Sequence, residues 1–98
     1  MYVGALELDV LFGDVGSLKR KRSLVRPLLA ELRRRHEVAV AEAGHLDLYR
    51  RALIGVSCVA PDARHVTEVL DQCERMVAAR PELELLCARQ RIIGPHDE

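Results

Sequence analysis

The chain has 98 residues, no net formal charge, 49% hydrophobic and 31% charged residues. That length bounds it to one domain able to bury roughly two thirds of its unfolded surface, with the composition of a soluble globular protein. A neutral whole excludes bulk attraction to polyanions, and no apolar run approaches the ~18–20 residues of a membrane-spanning helix.

Residues 2–12 alternate as a strand, with Leu6, Leu8, Val10 and Phe12 on one face and Glu7 and Asp9 on the other. The stretch 13–16, containing Gly13 and Gly16, breaks it. Ser17 is placed to cap a helix running to about Arg35, with Leu18, Val25, Leu29 and Leu32 on one side and Leu28 flanking. Pro27 lies inside this pattern, removes one backbone donor and predicts a kink. Residues 37–43 form a second short strand with Val38 and Val40 inward, and residues 44–48 connect it to a third strand over 50–60. Asp62, after Pro61, caps a second helix whose apolar stripe is Val66, Val69, Leu70, Cys73 and Val77 and which Pro81 ends. Residues 83–93 form the last strand, closed by Gly94 and Pro95. The order β-α-β-β-α-β predicts an α+β, ferredoxin-like domain over residues 1–94. Two right-handed crossovers would give a four-stranded antiparallel sheet with both helices on one face, followed by a short tail over 95–98.

The charge is unevenly placed. Between Lys19 and Arg35 stand eight basic residues and a single acid, Glu31. On a helical wheel Lys19, Arg22, Arg26 and Arg33 fall within about a 60° arc, and Arg20 and Arg34 lie on a second face. One acid leaves few i,i+4 pairs to offset the repulsion. Lys19, Arg20 and Lys21 also crowd the positive end of the helix dipole, at a cost of about 0.3–1 kcal/mol each, which an anion at that end would reverse. The expected anion- or RNA-binding set is therefore Lys19, Arg20, Lys21, Arg22, Arg26 and Arg33. The alternative is a solvated face neutralised by acids elsewhere in the chain. Gly13 and Gly16 do not fit a phosphate-binding loop, because their spacing is wrong for G-x-x-x-x-G-K-[ST].

The hairpin connection carries a second candidate, the loop site His45, Asp47, Tyr49 and Arg50. A His45–Asp47 pair would orient an imidazole for base chemistry, yet no nucleophile can be assigned to it. A turn in which either side chain caps backbone groups is the simpler expectation. No catalytic residue, cofactor or metal site is expected. Cys58, Cys73 and Cys87 form no zinc spacing and are expected to be reduced, buried, small apolar residues of a cytoplasmic protein. The start of the chain lacks the pattern of a signal peptide.

The outward sheet face is expected to carry Val3, Ala5, Glu7, Asp9, Ala39, Ala41, Leu53, Ser57, Leu86 and Ala88. It would have neither the aromatics nor the basic groups of RNA-binding sheets. An uncovered aliphatic face predicts burial against a partner, most simply a second copy of the chain.

The segments 17–22, 38–42, 45–52 and 54–56 together resemble the YlxP-like family, bacterial domains of unknown function, and the likeness runs from Tyr2 to Ile92. The resemblance implies a ferredoxin-like fold and a gene context among translation and ribosome-maturation factors. It implies no enzyme activity and no catalytic residues. This chain departs from the family pattern in having Gly44 where an acid usually precedes the histidine, and in having Pro27 within the first helix. The leading expectation is a non-enzymatic domain associated with structured RNA or a ribosomal subunit. A homodimeric or small-anion-binding module and, after it, an enzyme using His45 and Asp47 are the alternatives.

Overall fold

The computed structural model describes residues 1–96. Its elements are β1 (Tyr2–Phe12), α1 (Leu18–Arg35), β2 (Ala39–Gly44), β3 (Arg51–Ala60), α2 (Ala63–Ala78) and β4 (Leu83–Ile93). The four strands form one antiparallel sheet in the order β2-β3-β1-β4. This is the expected ferredoxin-like α+β topology, with β1 and β3 central and both helices packed on one face. Residues 97 and 98 of the expected tail lie outside the described residues.

Both helices start where their capping residues demand. Ser17 Oγ accepts the Arg20 N–H at 3.0 Å, and Asp62 Oδ1 accepts the His65 N–H at 2.7 Å, each satisfying a backbone donor that has no partner within the helix. Helix α1 is continuous from Leu18 to Arg35, with Pro27 exposed on its solvent side. The carbonyl that loses its donor there faces water, so the proline is tolerated without ending the helix.

The core is aliphatic. Leu6, Leu8, Val10 and Phe12 of β1 and Ile54 and Val56 of β3 meet Val25, Leu28 and Leu32 of α1 and Val66, Leu70 and Val77 of α2. Each such side chain contributes about 1.5–3 kcal/mol on burial. Helix α2 lies close over β1 at Gly4, where an added Cβ would stand 2.3 Å from Val66 Cγ1 and 2.8 Å from Leu70 Cδ1.

Two irregularities correct the expected open face. The β1–β4 register shifts between Asp9, opposite Cys87, and Val10, opposite Leu85, leaving Leu86 as the extra residue. A similar shift leaves Ala43 extra between Glu42 and Gly44. A bulge moves every later side chain to the other face. Ala88 therefore pairs with Leu8 on the helix side, while Cys87, Arg89 and Arg91 stand beside Asp9, Glu7 and Ala5 on the open side. Cys87 is consequently exposed, unlike Cys58 and Cys73, and the open face carries basic groups after all. Burial pushes the Cys73 thiol up to about 11, with a smaller contribution from Cys58, whose own thiol is raised by burial.

Candidate functional site

The basic helix divides into cations already engaged and cations still free. Lys21 is engaged. It lies in line with Val25, Leu28 and Leu32, at the i, i+4, i+7 and i+11 spacing of the buried stripe, and is 1% exposed. Its ammonium donates to the carbonyls of His45 at 2.9 Å, Arg51 at 3.2 Å and Leu46 at 3.5 Å, and it meets Glu42 Oε2 at 2.8 Å. Its three N–H bonds go to those three carbonyls and its charge to the Glu42 carboxylate, which accepts no hydrogen bond from it, so it has nothing left for an external anion. Lys21 thus leaves the expected anion-binding set and becomes the clamp between α1 and the β2–β3 connection. Arg33 is partly engaged as well, because its Nη2 donates to the Val40 carbonyl at 3.0 Å and covers a backbone acceptor on an edge strand.

The remaining members differ. Lys19, Arg22 and Arg26 are exposed, lie on the arc that includes Arg33, and make no ion pair or side-chain hydrogen bond among the described residues. Among the described residues Arg20 Nη1 bonds only to Ser23 Oγ, at 3.3 Å. Glu31, the one acid of the segment, is on the other side of the helix, where it pairs with Arg35 at 3.3 Å and with Arg80. It neutralises none of the outer arc.

The loop candidates are placed differently from expectation. His45 does not pair with Asp47. Its Nε2 lies 3.5 Å from Asp9 Oδ1, and its backbone adopts the left-handed region at φ 58, an uncommon conformation for a non-glycine residue. The Leu48 N–H closes the turn onto the His45 carbonyl at 3.0 Å. Asp47 is exposed. Arg50 is structural: its Nε donates to the Gly13 carbonyl at 2.7 Å and the Phe12 carbonyl at 3.2 Å. Tyr49 is half exposed, beside exposed Leu46 and Leu48.

Asp9 is the centre of a cluster that periodicity alone did not single out. Arg51 grips its carboxylate with Nη2 at 2.6 Å and Nε at 3.1 Å. The hydrogen bonds from Arg51 hold the Asp9 carboxyl below its ordinary value of 3.8. Burial opposes them, while the Arg51 charge and His45 add to them. Glu7, Asp9, His45, Leu53, Cys87 and Arg89 line a cavity of about 230 Å³ on the open sheet face. The two bulges bring Cys87 and the His45 turn to it. Bulges carry no reliable sequence mark, which is why Asp9 was legible only as a surface acid.

A larger groove, about 620 Å³, lies at the C-terminal ends of both helices. It is lined by Glu31, Arg35, His36, Arg75 and Arg80 among others. Cations at helix C-termini complement the dipole, which accounts for much of this clustering. Among the described residues no three His, Cys, Asp or Glu side chains are grouped to hold a metal ion, and no helix is long and apolar enough to cross a membrane.

Residues 3–90 match the family described as "Protein of unknown function (DUF503)". The chain is also 25% identical over 87 residues to the "Uncharacterized protein YlxP" of Bacillus subtilis (strain 168), an alignment covering 89% of this chain and 95% of that protein. The match spans all six elements except the first residue of β1 and the end of β4, and the chain belongs to this YlxP-like family of unknown function.

Proposed function

We propose that this protein is a non-enzymatic RNA-binding domain that meets the phosphates of a structured RNA or a ribosomal subunit with the outer arc of α1. One observation carries the reading: Lys19, Arg22 and Arg26 are exposed on one arc and have no acidic partner among the described residues. Each unpaired cation is held against like neighbours at an electrostatic cost that a polyanion would remove. Arg20 and Arg33 flank the arc as secondary contacts. The gene context implied by the family resemblance supports RNA as the partner. Binding by such a face reads the phosphate backbone rather than base sequence. The same reading assigns the protein to the reducing cytoplasm, with residues 1–94 acting as one unit.

The test is binding of structured RNA and of ribosomal subunits across a salt series. Affinity should fall linearly on a log–log plot, with a slope of roughly −0.7 to −0.9 per phosphate contact. A flat salt response, or full binding after Lys19→Glu, Arg22→Glu and Arg26→Glu together, would refute it.

A second reading, a homodimer, is favoured by the open sheet face. Glu7 and Arg89 are direct neighbours on β1 and β4, yet no ion pair joins them. A shallow floor of Ala5, Ala39, Ala41, Gly55 and Ser57 lies alongside. Two copies related by a two-fold axis would exchange Glu7–Arg89 pairs across that floor. Light scattering of wild type against Arg89→Glu separates this reading from a monomer. The small-anion alternative rests on the groove around Arg35, Arg75 and Arg80, and a thermal shift with polyphosphate tests it.

A further inference from the structure

The β2–β3 connection presents three apolar side chains to solvent within four residues: Leu46 is 59% exposed, Leu48 46% and Tyr49 49%. Of the chain's three aromatic residues, Phe12 is buried and Tyr2 packs against the core. Tyr49 is thus the one aromatic ring offered openly to solvent among the described residues.

This loop is firmly held. Lys21 fastens the His45, Leu46 and Arg51 carbonyls, the Leu48 N–H closes the turn, and Arg50 bonds to the Phe12 and Gly13 carbonyls while its own carbonyl accepts the Phe12 N–H at 2.7 Å. A rigid loop can display apolar groups at little ordering cost on binding. Because Lys21 is the fastening, the apolar tip is anchored to the first turns of α1. Lys19 and Arg22, the start of the free basic arc, are one or two residues from that anchor.

We propose that this tip is a stacking platform for an unpaired base, with Tyr49 taking the base face while the adjoining phosphates lie along Lys19, Arg22 and Arg26. The inference rests on the RNA reading above and narrows it to RNA with an exposed single-stranded loop, bulge or end. Every base has a face that can stack on an aromatic ring, so the contact needs no sequence. An anionic membrane is the less suited occupant, because Asp47 stands between Leu46 and Leu48 and would enter a negative surface with them.

The experiment compares a hairpin RNA carrying an unpaired loop with a fully paired duplex of equal length, by fluorescence anisotropy. Wild type should prefer the hairpin. Tyr49→Ala should weaken hairpin binding about 5- to 140-fold and leave duplex binding unchanged, and Tyr49→Trp should restore the preference. If Tyr49→Ala leaves the hairpin-to-duplex ratio unchanged while Arg22→Glu/Arg26→Glu abolishes both affinities, the stacking platform is refuted and the basic arc stands. If wild type binds neither RNA, both fall. Loss of binding to phosphatidylcholine–phosphatidylserine vesicles on Tyr49→Ala, with RNA binding intact, would refute the platform in favour of a membrane contact.

Discussion

Lys21 and Arg22 are adjacent in sequence and belong to opposite regions of one helix. Lys21 turns inward, 1% exposed, and its ammonium is shared by three carbonyls and Glu42. Arg22 turns outward with Lys19 and Arg26, and no side chain among the described residues answers them. The contrast teaches that a count of cations is not a count of available cations. The inner one positions the β2–β3 connection. The outer three carry the field a polyanion would meet.

The comparison breaks most readily at Lys21. Lys21→Met should cost about 3 kcal/mol in urea unfolding, because it strands a largely buried Glu42 and withdraws the donor shared by three carbonyls. Lys21→Met/Glu42→Leu should recover part of that loss. Arg22→Met, the next residue on the same helix, should not lower the urea midpoint. Equal losses at the two positions would erase the distinction between the regions.

Helix α2 sharpens the comparison by its different attachment. It is held against β1 by apolar contact rather than a polar clamp, and Gly4 sets how near it comes. Gly4→Ala should therefore destabilise by about 1–3 kcal/mol through overpacking against Val66 and Leu70, without moving the β2–β3 connection. Calorimetry, with amide exchange of residues 45–50 as the second readout, checks both parts.

Asp9 gives a smaller effect with a defined sign. Its carboxyl is held below 3.8 in the folded protein, chiefly by hydrogen bonds from Arg51. The stabilisation is therefore fully present above about pH 4 and is lost as pH falls through the lowered folded value. Asp9→Asn should lower the melting temperature at neutral pH and flatten the decline of stability below pH 4. An unchanged acid limb would show that the Arg51–Asp9 pair is not linked to folding. The smallest perturbation is chemical. In the folded protein a thiol reagent should modify Cys87 alone, and in urea all three cysteines should react, because Cys58 and Cys73 are buried and their thiolates disfavoured.

Much of the fold was legible because its signals are local. Ser17 and Asp62 mark helix starts by a hydrogen bond three residues long, and the stripe Val66, Leu70, Cys73 and Val77 repeats within one helix. The inward turn of Lys21 was legible too, from its spacing to Val25, Leu28 and Leu32, but the charge of its neighbours hid it. The site at Asp9 was not. It depends on two bulges that bring Cys87 beside Asp9 and His45 over it, and a one-residue shift between strands far apart in sequence leaves no period to read. The pairing of His45 with Asp9 rather than Asp47 has the same origin: sequence proximity proposed one acid, and the sheet supplied another.

The central claim is that the outer arc of α1 is free for phosphate and the inner residues are not. The most direct measurement is the salt slope of RNA binding for Lys19→Gln, Arg22→Gln, Arg26→Gln and Arg33→Gln, read beside each variant's melting temperature. The account predicts that each of the first three lowers the slope by roughly 0.7–0.9 without lowering the melting temperature, since it relieves repulsion among like charges, whereas Arg33→Gln, which uncovers the Val40 carbonyl, lowers the melting temperature and moves the slope less. Unchanged slopes for Lys19, Arg22 and Arg26 would contradict it.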